Sequence, residues 1–241
     1  MLKIKLGIIA ALPFEAACFT RNKIHPGTYQ VFAENSYVFY AGMGPDNAER
    51  AAEKLVELDV DALVSWGVAA SLDPELVSGD IMLPMEVLDV DGALYQVNQD
   101  WHTALTNKLK HRCVYSGGRL VSTHDVQHSV QQKSAIHHAT QAIVLDMESA
   151  AVAKVALKAN KPFVVIRSIF DTVAMHIPAS STNATDEYGQ TSIKKLIIGL
   201  LKNPAELLHY PKLITSFTKA KTSLQHVVHS CGNELCFSRN L

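Results

Sequence analysis

Short apolar, β-branched runs alternate with amphipathic stretches along the whole chain. Residues 6–11 read as a buried strand, and 29–32 with 37–41 as a strand pair around the polar Glu34-Asn35-Ser36 turn. Residues 42–47 form a glycine-containing turn, and 48–58 have helical spacing, with Asp46 or Asn47 placed to cap that helix. A strand over 62–66 ends at Gly67, and turns at Asp73-Pro74-Glu75 and Ser78-Gly79-Asp80 lead into a strand over 81–84. A helix is predicted over 101–110, brief strands over 120–122 and 142–145, and an alanine-rich helix over 149–159. Residues 163–169 are the most strand-like run, and an apolar helix is predicted over 191–201. Strands alternating with helices predict an α/β domain with its sheet between helical layers, which binds ligands beyond the carboxyl ends of its strands.

After Asn203 the pattern changes. Leu207, Tyr210, Leu213, Ile214, Phe217, Leu224, Val227 and Val228 fall near one helical stripe, Lys212, Lys219 and Lys221 fall largely off it, and Pro211 bends or restarts the helix. The chain thus divides into a main domain over 1–202 and a helical extension with a polar tail over 203–241. The extension reads as a helix packed on the domain or at a dimer interface, or else as one resting on a membrane surface.

Composition narrows the class. Of 241 residues, 48% are hydrophobic and 19% charged, enough to fill a substantial core. A net charge of -1 supplies no field to recruit nucleic acid. The basic, apolar start is broken by Pro13 and Glu15, so it reads as a strand and not a secretory signal. No run approaches the ~18 apolar residues of a membrane span, and a cytoplasmic protein is expected. The four cysteines form no C-x-x-C pair and read as reduced thiols, although Cys231 and Cys236 are close enough in sequence to pair under oxidation.

Glu15, Glu148 and Asp171 stand where predicted strands pass into loops. Each has a plain alternative: Glu15 and Glu148 as negative charge in a first helical turn, Asp171 as a cap or turn residue. His124 and His128 have the spacing of zinc ligands on one helical face, with His137 and His138 following, but no H-E-x-x-H pattern occurs and no metal is expected.

Several strings together resemble a known family. Residues 7–15 (Gly-Ile-Ile-Ala-Ala-Leu-Pro-Phe-Glu), 41–48 (Ala-Gly-Met-Gly-Pro-Asp-Asn-Ala), 64–72 with Ser78-Gly79-Asp80, 145–151 (Leu-Asp-Met-Glu-Ser-Ala-Ala) and 165–171 (Val-Ile-Arg-Ser-Ile-Phe-Asp) resemble, in order and spacing, the methylthioadenosine/adenosylhomocysteine nucleosidases and the related nucleoside phosphorylases. The resemblance implies a single-domain, three-layer α/β/α fold with a mixed central sheet, and cleavage of a purine N-glycosidic bond. It implies that Asp171 protonates purine N7, that Glu15 activates water, and that Glu148 holds the sugar hydroxyls with Met147 against the ribose. Asp146, Val68, Ala69, Val126, Gln127 and Phe170 complete the implied substrate contacts. It implies no cofactor, with phosphate as the co-substrate if the enzyme is a phosphorylase; the missing arginine in the central loop favours water. A homodimer is expected by resemblance.

The sequence departs from the nucleosidases at three points. Val68-Ala69-Ala70-Ser71 replaces Ser-Ala-Gly-Gly, Phe170 replaces a small residue, and residues 122–127 lack the aromatic that the nucleosidases place near the purine. The chain is more similar to the hopanoid-associated branch, which has a similarly reduced central loop and a C-terminal extension like Asn203-Pro-Ala-Glu-Leu-Leu-His-Tyr-Pro211, and which is implicated in removing adenine from adenosylhopane. That implies a lipid-linked nucleoside and peripheral contact of the extension with the inner membrane face. A standard methylthioadenosine/adenosylhomocysteine nucleosidase, and a catalytically silent nucleoside-binding or storage protein of the same fold, are the alternatives.

Overall fold

The computed structural model describes residues 4–239 except 34, 111–113, 126, 128, 176–178, 191, 193–194, 196–197 and 199–201. Its strands are β1 (Leu6–Ala10), β2 (Thr28–Phe32), β3 (Ser36–Tyr40), β4 (Ala62–Ser71), β5 (Ile81–Leu83), β6 (Glu86–Leu88), β7 (Leu94–Gln96), β8 (Val114–Ser116), β9 (Arg119–Ser122), β10 (Val144–Asp146) and β11 (Phe163–Asp171). The helices are α1 (Pro13–Ala16), α2 (Pro45–Glu57), α3 (Gln99–Leu109), α4 (Val130–Thr140), α5 (Ser149–Lys158), α6 (Ala179–Ala184) and α7 (Tyr210–Cys231).

The strands form one mixed sheet in the order β2-β3-β1-β4-β10-β9-β6-β7, with β11 against β4 and β5, and β8 against β5. β4 is its hub. Residues 62–66 run parallel to β1, residues 63–70 run parallel to β11, and Ala70 and Ser71 meet β10 antiparallel. Side chains alternate across the sheet, as the period of two requires. Ile9, Leu63 and Val165 pack under α2 and α5, whereas Ile8, Val64, Val164 and Ile166 pack under α3 and α7. The expected three layers are therefore present, each face covered by helices.

Four local expectations change. The strand predicted to end at Gly67 continues to Ser71, because β11 offers a ladder along its whole length. Gly67 itself is required there: a Cβ would collide with Glu15 Oε1 and Arg167 Nη1. Helix α2 starts at Pro45, not Ala48; Gly44 is its N-cap at φ 94, so neither Asp46 nor Asn47 caps it. The hairpin β6–β7, strand β8 and helices α1, α4 and α6 were not predicted; most are three to six residues long, too short for periodicity to show. The helix predicted over 191–201 lies largely outside the described residues.

A 3-10 turn (Pro204–His209) leads into α7, where Pro211 sits in the first turn and loses no helical hydrogen bond. Pro211 thus restarts the helix. The buried line on α7 is Ser216, Ala220, Leu224 and Val227, so the predicted stripe holds only in its second half. Ile214 is 62% exposed and faces solvent. Beyond α7 the chain turns inward: Leu235 and Phe237 are buried, and Trp101 Nε1 donates to the Leu235 carbonyl at 2.6 Å. Cys231 and Cys236 are free thiols. Among the described residues no helix is long and apolar enough to cross a membrane.

Candidate active site

The carboxyl ends of β1, β10 and β11 and the second half of β4 converge on one cavity of about 190 Å³. Its wall comprises Ala11, Leu12, Glu15, Met43, Val68, Ala69, Ala70, Gln127, Leu145, Asp146, Met147, Glu148, Phe170 and Asp171. Every candidate site residue from the sequence lies here except Val126, which falls outside the described residues. A larger cavity of about 650 Å³ lies between α7 and residues 77–81, but it gathers no carboxylate cluster.

Glu15 is buried on the single turn of α1. Its Oε2 accepts from the amides of Ala11 and Leu12, both at 2.9 Å, and its Oε1 accepts from the Val68 amide at 2.8 Å. The Leu12 contact caps the turn, so the plain reading holds alongside the functional one. Burial pushes the Glu15 carboxyl up to about 7; Arg167 and the amide of Val68 oppose that rise. The group is therefore poised between ionised and neutral forms near neutral pH.

Glu148 is the N-cap of α5, yet its side chain makes no cap bond. It reaches across to accept from the Gly44 amide at 2.9 Å, which the φ of 94 at Gly44 turns toward it. Burial holds its carboxyl above the ordinary value, with Arg167 opposing and Asp146 adding to the rise.

Arg167 and Asp146 form the foundation under these acids. Arg167 donates to Asp146 Oδ2 at 2.8 Å through Nε and to Ser65 Oγ at 2.8 Å through Nη2, and lies 3.7 Å from Glu148 Oε2. Burial would lower the guanidinium, but Asp146, Glu148 and Glu15 more than offset it, so it stays charged. Asp146 also accepts from Ser122 Oγ at 2.6 Å, from Ser149 Oγ, and from the amides of Glu148 and Ser149. Asp146, expected to contact substrate, lines the cavity and has both oxygens hydrogen-bonded within the protein.

At the end of β11 the register slips by one residue between Ile169 and Asp171. Such a bulge re-aims side chains. Here Phe170 and Asp171 both line the cavity. Asp171 Oδ2 lies 2.6 Å from Lys133 Nζ, and that ammonium also donates to the Thr172 carbonyl at 3.0 Å. Asp171, expected to protonate purine N7, thus has a buried cation set against it. Lys133 was not foreseen, because α4 buries no other residue and presents no apolar stripe. Arg167 was expected only as part of a strand, although a charge inside the most apolar strand signals a buried carboxylate partner.

Among the described residues, none that lines the cavity is Arg or Lys. Arg119 is bound to Glu86 at 2.7 Å, and Arg50 is exposed and bonds Asn47. Among the described residues no group of three or more His, Cys, Asp or Glu is arranged to hold a metal ion. His124 lies in a bend, outside any helix, and His128 falls outside the described residues.

Comparison with known proteins gives a consistent picture. The family model described as the phosphorylase superfamily matches residues 5–202. A 5′-methylthioadenosine/S-adenosylhomocysteine nucleosidase of Shewanella sediminis is 28% identical over 216 residues, covering 77% of this chain and 92% of that protein. The nucleosidase of the same name from Helicobacter pylori, solved with butyl-thio-DADMe-Immucillin-A, superposes with a TM-score of 0.67 at 17% identity, covering 95% of this chain and 99% of that one. The native futalosine hydrolase of Helicobacter pylori superposes with a TM-score of 0.66 at 18% identity, covering 94% and 97%. At these identities the two structures establish the shared fold.

Proposed function

The chain belongs to the phosphorylase superfamily, and on that premise we propose that it is an enzyme cleaving the N-glycosidic bond of a purine nucleoside, with water as the nucleophile. Breaking this bond leaves positive charge on the sugar and negative charge on the base. Asp171 delivers a proton to purine N7, which lets the base leave neutral. Glu148 accepts from the sugar hydroxyls, with Met147 against the ring. Glu15, ionised at and above about pH 7, takes the proton of the attacking water. Asp146 and Arg167 position Glu148. Three carboxylates around one guanidinium leave this end of the cavity electronegative, which suits a cationic sugar.

What supports the reading above all is the meeting of Glu15, Glu148 and Asp171 in one cavity whose wall holds no Arg or Lys among the described residues. A phosphate nucleophile calls for cationic or amide donors; the cavity's Val68 and Gly44 amides are already taken by Glu15 and Glu148. The test is chromatographic detection of free base from a panel of adenosine derivatives, with and without phosphate, alongside Asp171→Asn. Phosphate-independent release, lost in the variant, is the expected result. Folded protein that binds nucleosides and releases no base would establish the silent-binding alternative.

The panel also resolves the 5′ group. The names of the curated relatives support a small thioether substituent. A long apolar one, as in adenosylhopane, is the finer reading we favour. Phe170 in the cavity wall stands edge-on to Phe217 of α7 at 6.5 Å, and Phe217 meets Phe14 at 4.6 Å. This aromatic path ends at Phe217, 37% exposed, and α7 and the 3-10 turn before it also expose Ile214 (62%) and Leu208 (82%), apolar side chains that would rest on a bilayer surface. Liposome flotation with and without residues 204–241 tests that contact; equal, negligible binding by both forms rejects it. We also propose a homodimer, to be measured by light scattering on the eluting protein.

A further inference from the structure

Building on the reading above, in which the base leaves protonated at N7, we propose that Lys133 stores that proton and passes it to the base through Asp171. Lys133 is fully buried, the only such residue of α4, whose other residues are exposed or half-buried. Burying an ammonium is costly unless it is paired, and its charged partner is Asp171, at 2.6 Å. An ammonium this close favours the ionised carboxylate. The resting site therefore holds its proton on nitrogen.

The ion pair and the neutral pair of carboxylic acid with amine contain the same number of protons. A purine filling the cavity excludes water and favours the neutral arrangement. The Nζ–H bond breaks and its proton moves to Asp171 Oδ2. The Asp171 proton moves to N7 while the electron pair of the C1′–N9 bond goes to N9. Lys133 is left as a neutral amine. Water adds to C1′ and gives one proton to Glu15, equal in number to the one Lys133 has lost, and exchange with solvent after product release restores both groups. Lysine suits this role because its amine titrates readily when buried, whereas a guanidinium does not.

Among the described residues, the cavity wall that holds Asp171 also carries the acids Glu15, Asp146 and Glu148, and His137 and His138 lie in the last turn of α4. Glu15 sets the acid limb of the rate profile, and the Lys133–Asp171 proton sets the alkaline limb. The experiment is the pH profile of kcat for wild type, Lys133→Met and Lys133→Arg, with thermal unfolding to confirm folding. In Lys133→Met, Asp171 can take a proton of its own and so stays neutral; the alkaline limb should move at least about one unit to lower pH, with KM little changed. Lys133→Arg keeps the charge but withholds the proton, and should lose on the order of tenfold or more in kcat. An unmoved limb in the Met variant, or full activity in the Arg variant, overturns the proposal. If neither variant folds, nitrogen-15 NMR of lysine side chains in the wild type decides. One Nζ should lose its ammonium signal when a purine nucleoside analogue fills the cavity, and retention of every ammonium signal overturns the proposal. Failure of the wild type to release base would instead overturn the glycosidic reading itself.

Discussion

The two ends of the cavity hold their acids by opposite means. Glu15 is clamped by three backbone amides, those of Ala11, Leu12 and Val68, none of which can titrate. Asp171 is held by the ammonium of Lys133, a side chain that can. The difference suits the chemistry proposed for each end. A group that must accept a proton is served by fixed dipoles that favour its charged form without supplying a proton. A group that must donate one is served by a partner that carries a proton. Backing also differs. The Glu15 end rests on β1, β4 and β11, at the centre of the sheet, whereas Lys133 comes from α4, a helix that buries nothing else.

The largest expected effects separate the two ends by substrate. Asp171→Asn and Glu15→Gln should each lower kcat on an adenine nucleoside by roughly 10²–10⁴-fold. With p-nitrophenyl riboside, whose leaving group departs without protonation, Asp171→Asn should recover most of its activity and Glu15→Gln should recover none. Equal behaviour of the two variants on both substrates would erase the distinction. Next, Arg167→Met removes the cation shared by Asp146 and Glu148. Leaving buried carboxylates uncompensated should cost about 3–5 kcal/mol, read by urea unfolding.

Gly67→Ala probes the tightest contact of the rigid end. Its Cβ would collide with Glu15 Oε1 and Arg167 Nη1, and neither can retreat without breaking hydrogen bonds. A loss of about 1–3 kcal/mol in stability is expected, together with a fall in kcat. The pH dependence is gentler. In the proposed mechanism Glu15 works as its carboxylate, and burial raises it to about 7, so kcat should fall about tenfold for each unit below that point and level off above it until the alkaline limb begins. The same shift has a stability counterpart. The neutral form is favoured in the fold, so the Glu15 contribution is fully present below its ordinary value of 4.5 and is lost as pH rises through about 7. The smallest effect is that of Ser122→Ala, which removes one of several donors to Asp146 and should cost about 1 kcal/mol with little change in kcat.

The rigid end was far more legible in the sequence than the other. β1, β4 and β11 show as apolar runs, and carboxylates at their ends mark the cavity. Glu15 and Glu148 could also have been helix-end charges, and only the long-range partners Val68 and Gly44 decide what they do. Those contacts span 53 and 104 residues, beyond any local pattern. Gly67 looked like a strand terminator because its need for a bare backbone comes from side chains on other elements. Lys133 left no trace: on a helix without an apolar stripe, a lysine reads as a solvent-facing charge, and its burial is decided by Asp171, 38 positions away.

The central claim is that water, activated at the Glu15 end, attacks the sugar as the base leaves from the Asp171 end. Running the wild-type reaction in oxygen-18 water, with phosphate present, tests it most directly. The account predicts free purine and a free sugar carrying one labelled oxygen at C1′. A sugar 1-phosphate without label, or no release of base, would contradict it.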